Sequence, residues 1–229
     1  NNSSHKYKVL VLQEPMSFNR ALSVWITNNE HLFDMIFVHY PAWKGLGESP
    51  NKWKYYRSIG KTFISSNDRK IYPKTKNITA VWSSKNMGLE GHMLRINSRD
   101  FIRKNIPSKV DFNNPVEKVD GLKDYRYEIV VENEFPFFIS EKPLDAMLSG
   151  CIPIIWGDGL SPQWEGFDKD GMLFFKNEEE LYTLLKSNKL NKDFYDSKLT
   201  AIKHNFLEAQ KYISLGDQIW EAGLKDLVI

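Results

Sequence analysis

The residues best suited to bind a charged ligand lie close together in the second half of the chain. A run of apolar residues ends at Glu132 and Asn133, and a short segment leads to Ser140, a favoured helix N-cap. Glu141 and Lys142 would then lie in the first helical turn, where free N–H groups and the helix dipole favour an anion. The pattern predicts a phosphate site in which Lys142 adds positive charge and Glu141 accepts hydrogen bonds from sugar hydroxyls. The alternative is an ordinary first turn with solvated charges.

Alternating strand and helix patterns surround this stretch. Near-continuous apolar runs, as in buried parallel strands, predict strands at residues 7–13, 33–39, 79–83, 109–112, 127–132, 152–156 and 172–175. Helical spacing predicts helices near residues 22–26 and at residues 90–104, 140–149, 178–187 and 192–223. The order of these elements predicts an α/β fold with two sheet-forming halves and a boundary near residues 74–77.

The segment between the two predicted halves has a weaker pattern. Residues 41–76 are basic and aromatic, and glycine and proline interrupt them, which predicts a long functional loop. Its aromatic residues could stack on a sugar or a base, or else belong to a local core: Trp43, Trp53, Tyr55 and Tyr56.

The composition excludes several classes of protein. The chain has 229 residues, and 31 Lys and Arg against 29 Asp and Glu give a net charge of +2, too small for a dedicated nucleic-acid binder. The single cysteine, Cys151, excludes an internal disulfide framework and fits a reducing compartment. The five histidines lack metal-ligand spacing, so we expect no metal site. We expect no membrane span, because no apolar run approaches about 20 residues. We also expect a cytoplasmic location.

The motif around the predicted phosphate site resembles a known family. Residues 132–133, the aromatic-x-Ser-Glu-Lys at residues 138–142 and the strand at residues 150–157 resemble the signature of family 10 glycosyltransferases, the α-1,3/4-fucosyltransferases. Residues 83–95 are similar to a stretch of the compact bacterial and viral members. Leu12–Pro15, Leu32–Asp34 and His39 match their N-terminal half, and the similarity runs from Lys8 to about Leu184.

The resemblance implies a GT-B fold, in which two Rossmann-like halves face each other across a cleft. Residues 1–76 would form a reduced acceptor-side half containing the long loop 41–76. Residues 77–229 would form the half that binds the nucleotide sugar and carries the C-terminal helices. The implied donor is GDP-fucose and the second substrate a glycan acceptor, with no tightly bound cofactor and no requirement for a metal. The oligomeric state stays open.

The resemblance also assigns roles to individual residues. The implied donor-binding set is Arg95, Arg99, Glu132, Asn133, Phe138, Ser140, Glu141 and Lys142. Within it, Lys142 would bind the donor phosphate and Glu141 the ribose or fucose hydroxyls. Either Arg95 or Arg99, one helical turn apart, would neutralise the pyrophosphate. Phe138 replaces the usual Tyr of the family, so a ring can still stack but a hydroxyl contact is lost.

The implied activity is an inverting, α-1,3-fucosyltransferase-like transfer. Glu14, at the end of the first predicted strand, would be the general base, although it could instead cap the following helix. Two alternatives remain open: a transferase of the same fold that uses another nucleotide sugar, and a non-catalytic relative that binds a nucleotide or sugar. A hydrolase is disfavoured, because the sequence offers no evident nucleophile or closely spaced acid pair.

Overall fold

The computed structural model of the protein describes residues 6–13, 20–39, 47–134, 139–160 and 162–228. Within these residues the strands form two parallel sheets. The smaller sheet has the order β1-β2-β3, formed by Val9–Val11, Met35–Val38 and Trp53–Tyr55. The connection from β1 to β2 carries the first helix, α1, at Arg20–Asn28.

The larger sheet has five parallel strands in the order β5-β4-β6-β7-β8. These are β4 Lys76–Val81, β5 Asp111–Asn113, β6 Tyr125–Val130, β7 Ile152–Trp156 and β8 Leu173–Phe175. The chain passes from β4 to β5 on one side and then continues through β6 on the other. The order therefore reverses between β4 and β6, and ligands of open parallel sheets bind outside the carboxyl ends of the strands at such a reversal.

Two layers of helices cover the larger sheet. The helices that follow α1 are α2 Glu90–Asn105, α3 Glu141–Leu148, α4 Glu178–Lys186, α5 Lys192–Ser197, α6 Leu199–Ala209, α7 Leu215–Ile219 and α8 Lys225–Val228. Right-handed crossovers that leave β4 and β6 in opposite directions place α2 and α3 on opposite faces. Leu94 of α2 shares a core with Ile129 of β6, whereas Leu144 of α3 packs with Val130 of the same strand. The helix starts of α2 and α3 thus flank the reversal.

The C-terminal residues return to the smaller sheet. Leu215, Ile219 and Leu224 pack against a core that contains Phe37 of β2 and the buried Tyr56. Helical spacing alone could not indicate this contact, because it joins segments more than 150 residues apart. Among the described residues, no helix combines the length and the apolar character that crossing a lipid bilayer would need.

One sequence-based prediction is wrong in this part of the chain. The predicted long loop at residues 41–76 contains a strand, β3, which pairs with β2 over Ile36–Val38 and completes the smaller sheet. The strand escaped prediction because three residues are too few for a periodic pattern and its middle residue is Lys54. Residues 41–46 of the segment lie outside the described residues.

Helix α3 ends at a glycine whose conformation and surroundings exclude a side chain. Gly150 has a φ of 76°, in the left-handed region, and a Cβ there would lie 2.9 Å from the Cα of Ile71. Gly88 has a similar φ of 72°, but a Cβ there would meet no described atom within 4 Å. An alanine at either position would be strained by the positive φ, but only an alanine at position 150 would also collide with a neighbouring residue.

We expect Gly150→Ala to lower the free energy of unfolding more than Gly88→Ala does. Both variants carry the strain of a left-handed alanine, about 1–2 kcal/mol. Only Gly150→Ala must also displace the backbone at Ile71, which adds about 1–3 kcal/mol. Urea unfolding followed by tryptophan fluorescence measures both values. Equal losses in the two variants would contradict the contact.

Candidate functional site

A cleft of about 350 Å³ lies at the reversal of strand order in the larger sheet. The carboxyl end of β4 contributes Val81 and Ser83, and the segment after β5 contributes Asn114 and Pro115. The lining also includes three cations, two carboxylates and one exposed ring: Arg95, Lys118, Lys142, Glu117, Glu141 and Phe63. A volume in this range suits a small organic ligand, and the lining is rich in groups that bind anions.

The carboxylate of Glu132 organises the start of α3. It follows β6, is 3% exposed, and accepts a hydrogen bond from Ser140 Oγ on one oxygen. Lys142 Nζ lies 2.6 Å from the other oxygen and 3.4 Å from Glu141 Oε1. Ser140 is the helix N-cap, as the sequence indicated, and its hydroxyl accepts the Lys142 N–H at 3.1 Å. The four residues therefore form one bonded group at the beginning of α3.

The ion pairs keep this group charged. Burial lowers the pKa of Lys142, but the carboxylates of Glu132 and Glu141 outweigh burial and raise the pKa overall. Burial raises the pKa of Glu141, and Lys142 together with backbone hydrogen bonding lowers it overall. The Lys142 side chain is 23% exposed, so its ammonium group can meet a ligand in the cleft.

Helix α2 brings Arg95 to the same place. Gly91 N–H donates to the Asn133 carbonyl at 3.0 Å, and a Cβ on Gly91 would lie only 1.6 Å from the Glu132 carbonyl oxygen. The start of α2 therefore packs directly on the backbone that follows β6. Arg95, 6% exposed, donates through Nη2 to Asn133 Oδ1 at 2.9 Å and through Nε to Gly91 O at 3.1 Å. These contacts hold its guanidinium beside the cleft.

The two arginine candidates occupy different environments. Arg99 Nη2 donates to the carbonyls of Trp82 at 3.1 Å and Ser83 at 3.3 Å, and its guanidinium carbon lies 5.8 Å from the centre of the Phe112 ring. Arg99 is not part of the cleft lining that the structure describes. The structure thus brings Arg95, rather than Arg99, together with Lys142.

Buried His92 connects α2 to the loop after β4. The Met87 N–H donates to His92 Nδ1 at 2.9 Å, so this nitrogen is an acceptor. Burial, and then the charge of Arg95, lower the pKa of His92 below its ordinary value. A neutral imidazole is the form that can accept this hydrogen bond, and it fixes the loop at the edge of the site.

A second layer of charges lies beneath the cleft. Asp145 of α3 is fully buried, and its Oδ2 lies 2.9 Å from Lys118 Nζ. Its Oδ1 accepts from Thr62 Oγ1 at 2.5 Å and from the Phe63 N–H at 2.9 Å. Asp145 therefore ties α3 to two loops that line the cleft. Burial lowers the pKa of Lys118, but Glu128 and Asp145 outweigh it and raise the pKa to about 12.

Glu128 is an unusual member of this layer. It lies in the middle of β6, is 2% exposed, and its Oε2 has no hydrogen-bond partner among the described residues. Burial raises the pKa of Glu128 to about 7, and the charge of Lys118 opposes part of that increase. The carboxyl can therefore gain or lose a proton near neutral pH.

The predicted acceptor-side and catalytic residues have different outcomes. Glu14, Trp43 and Phe138 lie outside the described residues, so their roles stay predictions. Trp53 is fully buried in the core of the smaller sheet, and its Nε1 donates to Glu30 Oε2 at 2.8 Å. This position corrects the prediction of a stacking role and favours the local-core alternative, because no face of the ring is accessible.

Tyr55 and Tyr56 occupy different environments, one in a cleft and one in the core. Tyr56 is buried and its hydroxyl donates to the Leu12 carbonyl at 2.5 Å, which makes it a core residue. Tyr55 lines a second cleft of about 340 Å³, together with Arg57 and Tyr212. The backbone of Arg57 accepts from the Ile139 N–H at 2.7 Å, one residue before Ser140, so this cleft lies next to the segment that begins α3.

Five charged or aromatic residues of the site were not predicted from the sequence: Phe63, Glu117, Lys118, Glu128 and Asp145. A charged residue inside an otherwise buried strand was a visible signal for Glu128, because ionisable groups are rarely buried without a partner. Lys118 gave no local signal, since its position depends on a contact with Asp145, 27 residues later in the chain.

Comparison with known proteins identifies the fold. The sequence matches no family model and no curated protein. HepE from Anabaena in complex with UDP-glucose superposes with a TM-score of 0.62 at 12% identity, over 96% of this chain and 72% of that one. An α1,3-fucosyltransferase with GDP-fucose gives a TM-score of 0.55 at 17% identity, over 93% of this chain and 76% of that one. TarM superposes with a TM-score of 0.57 at 12% identity, over 96% of this chain and 50% of TarM. The predicted Rossmann-like fold of the GT-B class is confirmed.

We expect Glu128→Gln to remove a pH dependence of stability between pH 5 and pH 8. The native carboxyl has a pKa of about 7, whereas an unfolded glutamate has one of about 4.3. Between these values the native state binds more protons than the unfolded state, so the stability of the unmodified protein falls as the pH rises. The full difference corresponds to about 4 kcal/mol.

Urea unfolding at several pH values measures this effect. The matched control is Glu179→Gln, which replaces an exposed glutamate and should shift the free energy of unfolding by nearly the same amount at each pH. A constant offset between Glu128→Gln and the unmodified protein from pH 5 to pH 8 would show that Glu128 does not titrate in this range.

Proposed function

We propose that this protein is an inverting glycosyltransferase that moves fucose from GDP-fucose to a hydroxyl group of a glycan. The observation that carries the proposal is the position of Arg95, Lys142 and the start of α3 together at the reversal of a parallel sheet. This arrangement supplies two fixed cations and a helix N-terminus, which are the groups that a diphosphate requires.

The donor half of the proposal rests on complementary chemistry. The planar guanidinium of Arg95 suits paired phosphate oxygens, and the ammonium of Lys142 supplies a point charge. Glu141, 3.4 Å from Lys142, would accept hydrogen bonds from the ribose or from the fucose hydroxyls. The resemblance of residues 132–142 to family 10 supports fucose and guanine as the parts of the donor. One solved relative of the fold holds UDP-glucose, so a different nucleotide sugar is the alternative to test.

The chemical step needs a base and a stabilised leaving group. Glu14 follows the carboxyl end of β1 in the sequence and would remove the proton from the attacking acceptor hydroxyl. Attack on the face opposite the nucleotide inverts the anomeric carbon, so a β-linked donor gives an α-linked product. The bond to GDP breaks as negative charge develops on its phosphate. In this proposal the fixed charges of Arg95 and Lys142 stabilise that charge, without a required metal ion.

We expect the protein to transfer fucose from GDP-fucose to a member of a glycan panel, and Glu14→Gln to lower kcat about 10²- to 10⁴-fold. Gln keeps the shape but cannot accept the proton, so GDP affinity should stay unchanged. Product formation measured by mass spectrometry tests both expectations. Near-complete activity of Glu14→Gln would show that another group is the base. Transfer of glucose from UDP-glucose in place of fucose would reject the proposed donor.

We expect Arg95→Gln to weaken GDP binding about 10- to 100-fold, because it removes a charged hydrogen-bond donor from the diphosphate site. Arg99→Gln is the matched control, since Arg99 lies on the same helix and bonds to the carbonyls of Trp82 and Ser83. Its GDP affinity should change less than threefold, by the same reasoning. Calorimetric titration with GDP measures both variants. A larger loss in Arg99→Gln than in Arg95→Gln would reverse the assignment.

A further inference from the structure

Lys118 is a third cation at the candidate donor site. It lies in the short turn that follows β5, with its side chain 14% exposed, and lines the same cleft as Arg95 and Lys142. Its Nζ lies 2.9 Å from Asp145 Oδ2. The three cations come from α2, from the turn after β5 and from α3, and all three line the cleft.

Carboxylates already outnumber cations in this group. The acids in and beneath the cleft wall are Glu117, Glu128, Glu132, Glu141 and Asp145, and the bases are Arg95, Lys118 and Lys142. A bound diphosphate adds further negative charge to this surplus. The site can bind a diphosphate only if each of the three cations interacts with the phosphate oxygens and the repulsion from the buried carboxylates decreases.

The contacts of Lys118 leave it suited to this role. Its partner Asp145 is fixed by Thr62 and Phe63 through Oδ1, so Asp145 orients the lysine while remaining bound to the loop. Glu128 faces Lys118 from β6 with an oxygen that lacks a hydrogen-bond partner among the described residues. The electrostatic repulsion between the Glu128 carboxylate and an anion bound in the cleft therefore depends on how much charge that anion carries.

The charged groups that face Glu128 come from three elements. Lys118 approaches from the turn after β5, Asp145 and Lys142 from α3, and Glu132 from the end of β6. Two of these groups are cations and two are carboxylates. Glu128 is thus surrounded by charge and has one oxygen without a hydrogen-bond partner among the described residues, and a proton on it would reduce the negative surplus.

We propose that Lys118 binds the diphosphate of the donor. The carboxylate of Glu128 weakens this binding, because it attracts the ammonium group of Lys118 and so competes with the ligand. The inference rests on the proposed function, since it takes a nucleoside diphosphate as the ligand. Lys118 is a binding residue on this assignment, and Glu128 is a positioning residue that acts through it. Neither residue belongs to the motif that resembles family 10.

Calorimetric titration with GDP tests the role of Lys118. We expect Lys118→Met to weaken GDP binding about 10- to 100-fold, because a charged hydrogen bond to the phosphate is lost. Lys123→Met is the matched control, since Lys123 lies on the surface and pairs with Asp120, and it should leave GDP binding unchanged. Unchanged affinity in Lys118→Met would overturn the proposal.

Glu128→Gln tests the electrostatic interaction between Glu128 and Lys118 in the opposite direction. It should strengthen GDP binding about three- to tenfold near pH 8, because the ammonium group of Lys118 is then no longer attracted by the Glu128 carboxylate and is more available to the diphosphate. The double variant Lys118→Met with Glu128→Gln loses one acid and one base, so the buried layer keeps its net charge and folding is protected. In this variant the gain in affinity should disappear.

The outcomes distinguish this inference from the proposed function. A gain in GDP affinity that persists in the double variant would overturn the role of Lys118 and leave the donor site intact. GDP binding that depends on Arg95 but not on Lys118 would have the same meaning. Absence of GDP binding by the unmodified protein would overturn both proposals.

Discussion

The contacts of Glu132 determine the geometry on which the candidate site depends. Its carboxylate accepts hydrogen bonds from Ser140 and Lys142, so the end of β6 is joined to the start of α3. Its carbonyl oxygen occupies the space that a side chain on Gly91 would fill, so α2 packs on the same residue. Breaking a buried charged pair by removing one partner costs about 3–5 kcal/mol. One residue thus fixes the relative positions of two helices on opposite faces of the sheet.

The topology explains why this residue can have such an effect. Right-handed crossovers that leave β4 and β6 in opposite directions place α2 and α3 on opposite faces, and the starts of both helices meet at the carboxyl edge between the two strands. Cations on these helices then point into one crevice from two sides. These cations are hydrogen-bonded to Glu132 and Asn133, because an unpaired buried charge would be too costly. A ligand must therefore compete with bonds that the protein already makes.

The sequence predicted best what depends on neighbouring residues. The Ser140 cap, the helix that follows it and the strands of the larger sheet are encoded in short local patterns, and each lies within a few residues of its predicted position. Strand β3 was missed because three residues form no period, and its stability comes from pairing with β2. The choice between Arg95 and Arg99 also required the structure, since both lie on one helix and differ only in distant contacts. Residues such as Lys118 and Asp145 become a pair only after the sheet has assembled.

Glu128 shows how stability and binding are connected in this protein. Local preference and burial both oppose a glutamate in the middle of a strand such as β6, and a site at which several such rules fail is a candidate for function. The elevated pKa of Glu128 means that the folded protein loses stability when this carboxyl ionises. Lys118 offsets part of that cost, and the same ammonium group lines the cleft. The charge that makes the buried acid tolerable is therefore the charge that a diphosphate would use, so any ligand that engages Lys118 must also change the energetics of Glu128.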